Sequence, residues 1–270
     1  MSVVKILEID GSNTNNTNTI DLPKVFKTPY RPEVIQKVYN NLNSYLFQQQ
    51  GRYPAAGQMV SAESRNTGLG IARLARAKGE GFPRAGQAAG VGGVRHGRLA
   101  HPPVSWKSIY KKINKKEKLL ALCSAIAATA NADLIKKRGH RLSASIQLPI
   151  VVSNEIESIT KSKELEKILI KLGFEDDLKR TYARRIKSVH RNGTNRRSAL
   201  SVLIIVGNDK NIGRLSNSLP GVTVKTVKSV SVLDLAPGSK PARLTIFSEN
   251  AIKELNTLKS TSSINLEMNN

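Results

Sequence analysis

The 270-residue chain carries 43 Lys and Arg against 20 Asp and Glu, a net charge of +23. It is long enough to bury one sizeable core, and its charge repels itself and attracts polyanions, nucleic acid first among them. An anionic membrane would need a basic amphipathic helix or a lipid-attachment signal, and neither is present; the lone Cys123 allows no intrachain disulfide and suits a reducing compartment.

Val3–Ile9 alternates like a strand and, with two acids before residue 11, does not read as a signal peptide. Ser12–Thr19 is an Asn/Thr-rich turn. After Pro32, the residues Val34, Ile35, Val38, Leu42, Tyr45 and Leu46 recur at three and four, which predicts an amphipathic helix ending near Gln48.

From Gln48 to Val104 no period of 2 or 3.6 is sustained. This stretch holds 11 of the 19 glycines, and its charged residues are Arg52, Arg65, Arg73, Arg76, Lys78, Arg84, Arg95 and Arg98 against Glu63 and Glu80. So long a structureless loop is functional or disordered. Seven of the eight cations are Arg, whose planar fork binds phosphate bidentately and stacks on bases, and glycine lets backbone approach phosphate closely. Run out and back, each arm could reach roughly 90 Å. The bland alternative is a flexible linker.

Trp106 and Tyr110 then stand among Lys107, Lys111, Lys112, Lys115, Lys116 and Lys118, the mixture expected for phosphate neutralisation with base or sugar stacking. Asn114 with Glu117 resembles a capping box for a helix running to about Lys137 and stopped by Gly139. Cys123 falls in that helix as a small core residue. Ile146–Val152 reads as a buried strand, and Ser162 as the cap of a helix ending at Gly173. Leu178–Ser198 is basic, with Arg184, Arg185, Arg196 and Arg197 among its eight cations, and reads as an edge loop. Leu200–Val206, Val222–Val227 and Arg243–Phe247 read as strands, Lys210–Ser218 as a short helix, and Ser248 as the cap of a last helix. No uninterrupted apolar run is longer than that of Val202–Val206, which is far too short to span a bilayer.

Helices alternating with apolar strands predict an α/β fold: a mostly parallel sheet with helices on both faces, interrupted by a long extended basic loop. The expected organisation is one globular domain over 1–47 and 105–260, the loop over 48–104, and a flexible tail over 261–270.

Signals for an enzyme fail one by one. Gly68-Leu-Gly70 has Arg73, and Gly90-Val-Gly92 has Arg95, where a dinucleotide fingerprint needs a third glycine. Gly207–Gly213 follows a strand but lacks the phosphate-loop spacing. His96, His101, His140 and His190 are scattered and form no zinc set with one cysteine. Asp176 and Asp177 are adjacent, with Lys179 and Arg180 as ready partners, and read as structural. No cofactor and no metal is expected.

Seven motifs in order carry a resemblance: Arg31-Pro-Glu-Val-Ile; Thr67 to Gly79; Arg98-Leu-Ala-His-Pro-Pro103; Lys112 to Glu117; Ser124 to Ala130; Arg138-Gly-His140; and Asp234-Leu-Ala-Pro-Gly238 followed by Arg243-Leu-Thr-Ile-Phe. Over roughly Leu22–Leu255 the chain resembles the universal large-subunit ribosomal protein L-four family, in its archaeal and eukaryotic branch. The resemblance implies a structural, non-enzymatic constituent of the cytoplasmic large ribosomal subunit. In that family the globular domain sits on the subunit surface, while an extended loop penetrates the rRNA, supports assembly and lines part of the nascent-chain exit tunnel.

The loop tip would fall on Asn66, Thr67, Gly68, Leu69, Gly70, Ile71, Ala72 and Arg73. Leu69 stands where the family often has a basic residue and Ala75 where it often has proline. The RNA-contacting set is Arg52, Arg65, Arg73, Arg76, Lys78, Arg84, Arg95, His96, Arg98, His101, Trp106, Lys107, Lys111, Lys112, Arg184, Arg185, Arg196 and Arg197. Expected partners are large-subunit rRNA, neighbouring large-subunit proteins and the nascent polypeptide, with no membrane and no homo-oligomer. The rival readings are a regulatory module on messenger RNA and an RNA-modifying enzyme with a basic substrate arm.

Overall fold

The computed structural model describes residues 3–9, 19–142, 146–183, 186–190, 193–197 and 199–257. Positions 12–18 of the expected turn, Arg184, Arg185 and the tail 261–270 lie outside them. The chain divides into two units, Met1–Asn43 with Lys112–Asn270, and Ser44–Lys111.

The first unit opens with strand β1 (Val3–Leu7) and β2 (Thr19–Asp21), an antiparallel pair that sets Val4 opposite Ile20. Helix α1 (Pro32–Asn43) begins on a proline, whose missing N–H costs nothing in a first turn. The second unit intervenes with an antiparallel hairpin of β3 (Ala62–Ser64) and β4 (Ala75–Ala77). The first unit resumes with α2 (Lys115–Ala128), α3 (Ala132–Arg138), β5 (Ile150–Val152), α4 (Ser162–Lys171) and α5 (Glu175–Ala183). A hairpin of β6 (Ile186–His190) and β7 (Gly193–Arg197) precedes β8 (Leu203–Val206). Then come α6 (Ile212–Ser216), β9 (Thr223–Thr226), α7 (Val232–Leu235), β10 (Thr245–Ser248) and α8 (Glu249–Thr257).

The six-stranded sheet has the order β2-β1-β5-β10-β8-β9. Every neighbouring pair but β1 with β2 is parallel, as helical crossovers require. Side chains of a strand alternate between faces, so a continuous apolar run supplies two cores. Val151, Leu203, Ile205 and Phe247 meet Ile35 and Val38 of α1 and Cys123 and Ile126 of α2. Ile150, Val152, Ile204, Val206 and Ile246 meet Ile135, Leu165, Leu169 and Leu178 on the other side. Burial raises the Cys123 thiol to about 11, which keeps it protonated and inert as a core side chain.

Several local expectations are corrected. The helix expected from Asn114 to Lys137 is two helices bent by 95°. Thr129 turns its hydroxyl onto the Ile126 carbonyl at 2.7 Å, and Asn131 caps α3 by accepting from the Asp133 and Leu134 N–H groups. Asn114 makes no side-chain cap, and Glu117 pairs instead with Lys37 at 2.7 Å. Ser162 is the first helical residue of α4, behind the cap position Lys161. The strand expected from Ile146 is confined to β5. The acidic start Glu175-Asp176-Asp177 makes a helix of a stretch read in part as basic loop, since carboxylates favour a helix N-terminus. Ser248 does cap the last helix, accepting from the Ala251 N–H at 3.1 Å, and Gly139 closes α3 in the left-handed region at φ 101°.

Candidate nucleic-acid interface

No residue from Tyr45 to Lys111 is buried. Between Ser44 and Lys111 ten Lys and Arg stand against Glu63 and Glu80. Exposed apolar groups crowd the same stretch, among them Leu46, Tyr53, Met59, Leu69 and Trp106. A segment that buries no side chain gets little of its shape from the hydrophobic effect, and apolar exposure on this scale marks a contact surface.

Its internal order comes from backbone pairing. Glu63 faces Arg76 across the β3–β4 ladder. A third segment runs along the far side of β4, where Ala77 N–H donates to the Gln87 carbonyl and Ala89 N–H to the Ala75 carbonyl, both at 2.9 Å. Arg76 is half-buried and donates to the Gly86 carbonyl at 2.9 Å, so it serves the hairpin itself. Lys78 lies 2.6 Å from Glu63 and holds that carboxyl below its usual range by hydrogen bond and charge. Both groups are exposed, and such a pair yields readily to a phosphate.

The expected tip is the connection between β3 and β4. Asn66–Arg73 is exposed throughout, and the Ser64 hydroxyl closes the turn on the Arg73 carbonyl at 2.5 Å. Elsewhere in this unit backbone lies on backbone: a Cβ on Gly57, whose φ is +79°, would come 2.6 Å from the Gly97 carbonyl oxygen. Arg52, Arg65, Arg73, Arg84, Arg95, Arg98, His96, His101, Lys107 and Lys111 are all exposed. Lys112, in the first unit, is exposed as well.

Where the second unit begins and ends in sequence, two of its segments run side by side. Lys111 N–H donates to the Ser44 hydroxyl at 3.1 Å, and a Cβ on Gly51 would lie 2.9 Å from that of Ser105. Tyr45 and Tyr110 stack across this seam, centroids 5.1 Å apart and planes within 14°. Trp106 stands 72% exposed.

In the first unit the basic stretch after α5 is a hairpin. Ile186 faces Arg197 and Lys187 faces Arg196, so the backbone places Arg196 and Arg197 on β7. A buried polar knot sits at its base. The Asp177 carboxylate accepts from Arg180 Nε at 2.9 Å, Arg141 N–H at 3.1 Å and the Ser201 hydroxyl at 2.6 Å. Arg180 also donates to the Leu200 carbonyl at 2.8 Å. Burial alone would raise the Asp177 pKa; hydrogen bonds from His140, Arg180 and Ser201 outweigh it and hold the carboxyl below the usual carboxylate range.

His140 donates Nδ1–H to Asp177 at 3.2 Å and accepts from the Leu244 N–H at Nε2, 3.4 Å away, which fits the neutral ring. Burial keeps its pKa below the ordinary histidine value. Arg243, only 2% exposed, donates to the carbonyls of Ser201, Gly221 and Asp234. Sequence spacing pairs Asp177 with Arg180, but the arrival of His140, Ser201 and Arg243 is long-range. This Ser, His and Asp make no nucleophile, because the serine hydroxyl is spent on the carboxylate rather than offered to the imidazole.

Among the described residues no group of three or more His, Cys, Asp or Glu could hold a metal ion, and no single helix is long and apolar enough to cross a membrane.

Comparison with known proteins bears on most of the chain. Residues 20–258 match the model of the ribosomal protein L4/L1 family. Large ribosomal subunit protein uL4 of Methanosphaera stadtmanae is 38% identical over 261 residues, covering 96% of this chain and 98% of that protein. Its namesake in Haloquadratum walsbyi is 37% identical, covering 92% and 97%, and that of Methanococcus vannielii 39%, covering 93% and 98%.

Proposed function

The chain belongs to the ribosomal protein L4/L1 family, and from that premise we propose how it serves as a structural constituent of the cytoplasmic large ribosomal subunit. It is a ribosomal structural protein and not an enzyme; its partners are rRNA and other ribosomal proteins. The unit Ser44–Lys111 is the RNA-penetrating element. Its arginines neutralise phosphates where RNA segments crowd together, lowering their mutual repulsion and so supporting assembly. Its tip, Asn66–Arg73, reaches the wall of the polypeptide exit tunnel, where it meets the nascent chain. The globular domain and the β6–β7 hairpin anchor the protein through Arg184, Arg185, Arg196 and Arg197.

The observation that carries this reading is the pairing of strong positive charge with the absence of any buried side chain from Tyr45 to Lys111. A segment of that kind takes its final course from the polyanion around it. The test is binding of a large-subunit rRNA fragment over a salt series. Log affinity should fall steeply with log salt, and Arg73→Ala with Arg84→Ala should flatten the slope by roughly 0.7–0.9 per lost phosphate contact. A slope near zero for the wild-type protein, or one that both replacements leave untouched, refutes the assignment.

A further inference from the structure

The root of the extension has aromatic chemistry that phosphate neutralisation does not use. Five of the chain's twelve aromatic residues, Tyr45, Phe47, Tyr53, Trp106 and Tyr110, fall on the segments 44–53 and 104–111. All five are exposed, and Trp106 is the only tryptophan in the chain. Of the other aromatics, Phe174 and Phe247 are fully buried, and the exposed Tyr30, Phe82 and Tyr182, at 40–42%, are each less open than any of these five.

The two segments are held together at Ser44–Lys111 and at Gly51–Ser105, so these rings share one framework and are not scattered along a loose chain. Tyr45 and Tyr110 stack nearly parallel, yet about half of each residue stays open to solvent. A pair formed only to close the seam would gain by covering its outer faces. Left open, it offers planar surfaces on which a further flat ring can continue the stack.

The surroundings select the kind of ring. Arg52, Lys107 and Lys111 lie on the same two segments, and no Asp or Glu occurs over 44–62 or 81–116. Planar faces beside cations with no competing carboxylate suit a nucleobase with its own phosphates attached. In a duplex the bases already stack on one another and present only edges, so the matching ligand is an unpaired stretch.

We propose that the extension's root is a stacking platform for unpaired RNA bases, with Tyr45, Tyr110 and Trp106 supplying the faces and Arg52, Lys107 and Lys111 receiving the flanking phosphates. This rests on RNA being the ligand of the extension and adds the form in which RNA is taken there. The platform gives the protein a preference for junctions and loops over continuous helix, which charge alone cannot provide.

The experiment uses the full-length protein and three RNA probes of equal phosphate number: a single-stranded oligo(A), the same backbone without bases, and a duplex. Trp106 fluorescence reads the platform directly. Oligo(A) should quench it and bind about tenfold tighter than the abasic strand, and Tyr45→Leu, Tyr110→Leu or Trp106→Ala should each remove much of that difference. Tyr45→Phe and Tyr110→Phe should restore it, since they keep the ring, which separates stacking from damage to the seam. Equal binding of oligo(A) and abasic strand without quenching, both still strongly salt-dependent, overturns the platform and leaves the phosphate-binding role standing. Loss of salt-dependent binding to all three probes removes both.

Discussion

The Ser201 hydroxyl donates to Asp177 at 2.6 Å, tying the residues that lead into β8 to α5. Strands β6 and β7 lie between these two points in sequence, so one carboxylate joins the segments that flank them. Asp177→Ala should cost about 3–5 kcal/mol, because it strands Arg180 beside a hole with little water. Ser201→Ala, which leaves the other donors in place, should cost about 1 kcal/mol. Urea unfolding of both variants checks the ordering; equal losses would show that the carboxylate is not the hub.

Acid should weaken the fold in two stages. The folded His140 pKa lies below its ordinary value of 6.5, so as pH falls through that value the unfolded chain takes up a proton that the folded chain refuses, and stability drops. Asp177, depressed below 3.8, stabilises the fold above that value and loses its contribution as pH falls further. Thermal melts from pH 8 to pH 3 should be flat at first, then decline below about pH 6.5 and steepen near pH 4. His140→Gln should remove the first decline; its persistence would assign it to another group.

Two glycines with similar backbones separate steric conflict from conformational cost. Gly221 has φ +81°, and a Cβ there would sit 2.3 Å from the Ala199 carbonyl oxygen; Gly238 has φ +72° with nothing within 4 Å. Gly238→Ala should cost about 1–2 kcal/mol, the left-handed penalty alone. Gly221→Ala should cost clearly more, about 3 kcal/mol or above, and should also disturb Arg243, which donates to the Gly221 carbonyl at 2.9 Å. Comparable melting temperatures for the two variants would contradict this account.

Arg76 and Arg73 should differ in kind. Arg76 donates to Gly86, whereas the Arg73 side chain is exposed in the connection between β3 and β4. In hydrogen exchange of the free protein, amides over Tyr45–Lys111 should exchange fast beside those of β8, with residual protection only along β3, β4 and residues 85–89 and at the Lys111 amide of the seam. Arg76→Ala should erase the protection along β3, β4 and residues 85–89, and Arg73→Ala should leave it. Protection across the whole segment, matching the sheet, would mean the extension is ordered without RNA.

The sheet was legible where burial writes the pattern. Leu200–Val206 reads as a strand because both faces of β8 are covered, and α1 shows its stripe because only one face is. The β3–β4 hairpin left no such mark: Ala-Glu-Ser and Ala-Arg-Ala have no core face to keep apolar. The break between α2 and α3 did leave a signal, Asn131 two residues before Asp133, but the apolar run across it masks the cap. The Asn114 capping box failed for the opposite reason, since Glu117 is claimed by the tertiary partner Lys37, and Ser162 lies one residue inside α4 rather than at its cap. The basic residues proposed for RNA binding are chosen by charge and resemblance, and the structure adds that those from Arg52 to Lys112 other than Arg76 are exposed. The Tyr45–Tyr110 stack could not, because it joins residues far apart in sequence.

The first unit is assembled from both sides of the extension: α1 packs on α2, and β1 pairs with β5. A protease meeting the chain before RNA does would find its easiest substrate between Tyr45 and Lys111. One nick there would leave two fragments still clasped through a shared core, travelling as one particle until denatured. Such a molecule would look sound by size and by melting, yet its severed arm could no longer be drawn into place by its anchor. If the extension acts as proposed, the working lifetime of the free protein is set by how fast it reaches its RNA rather than by how firmly its body is folded.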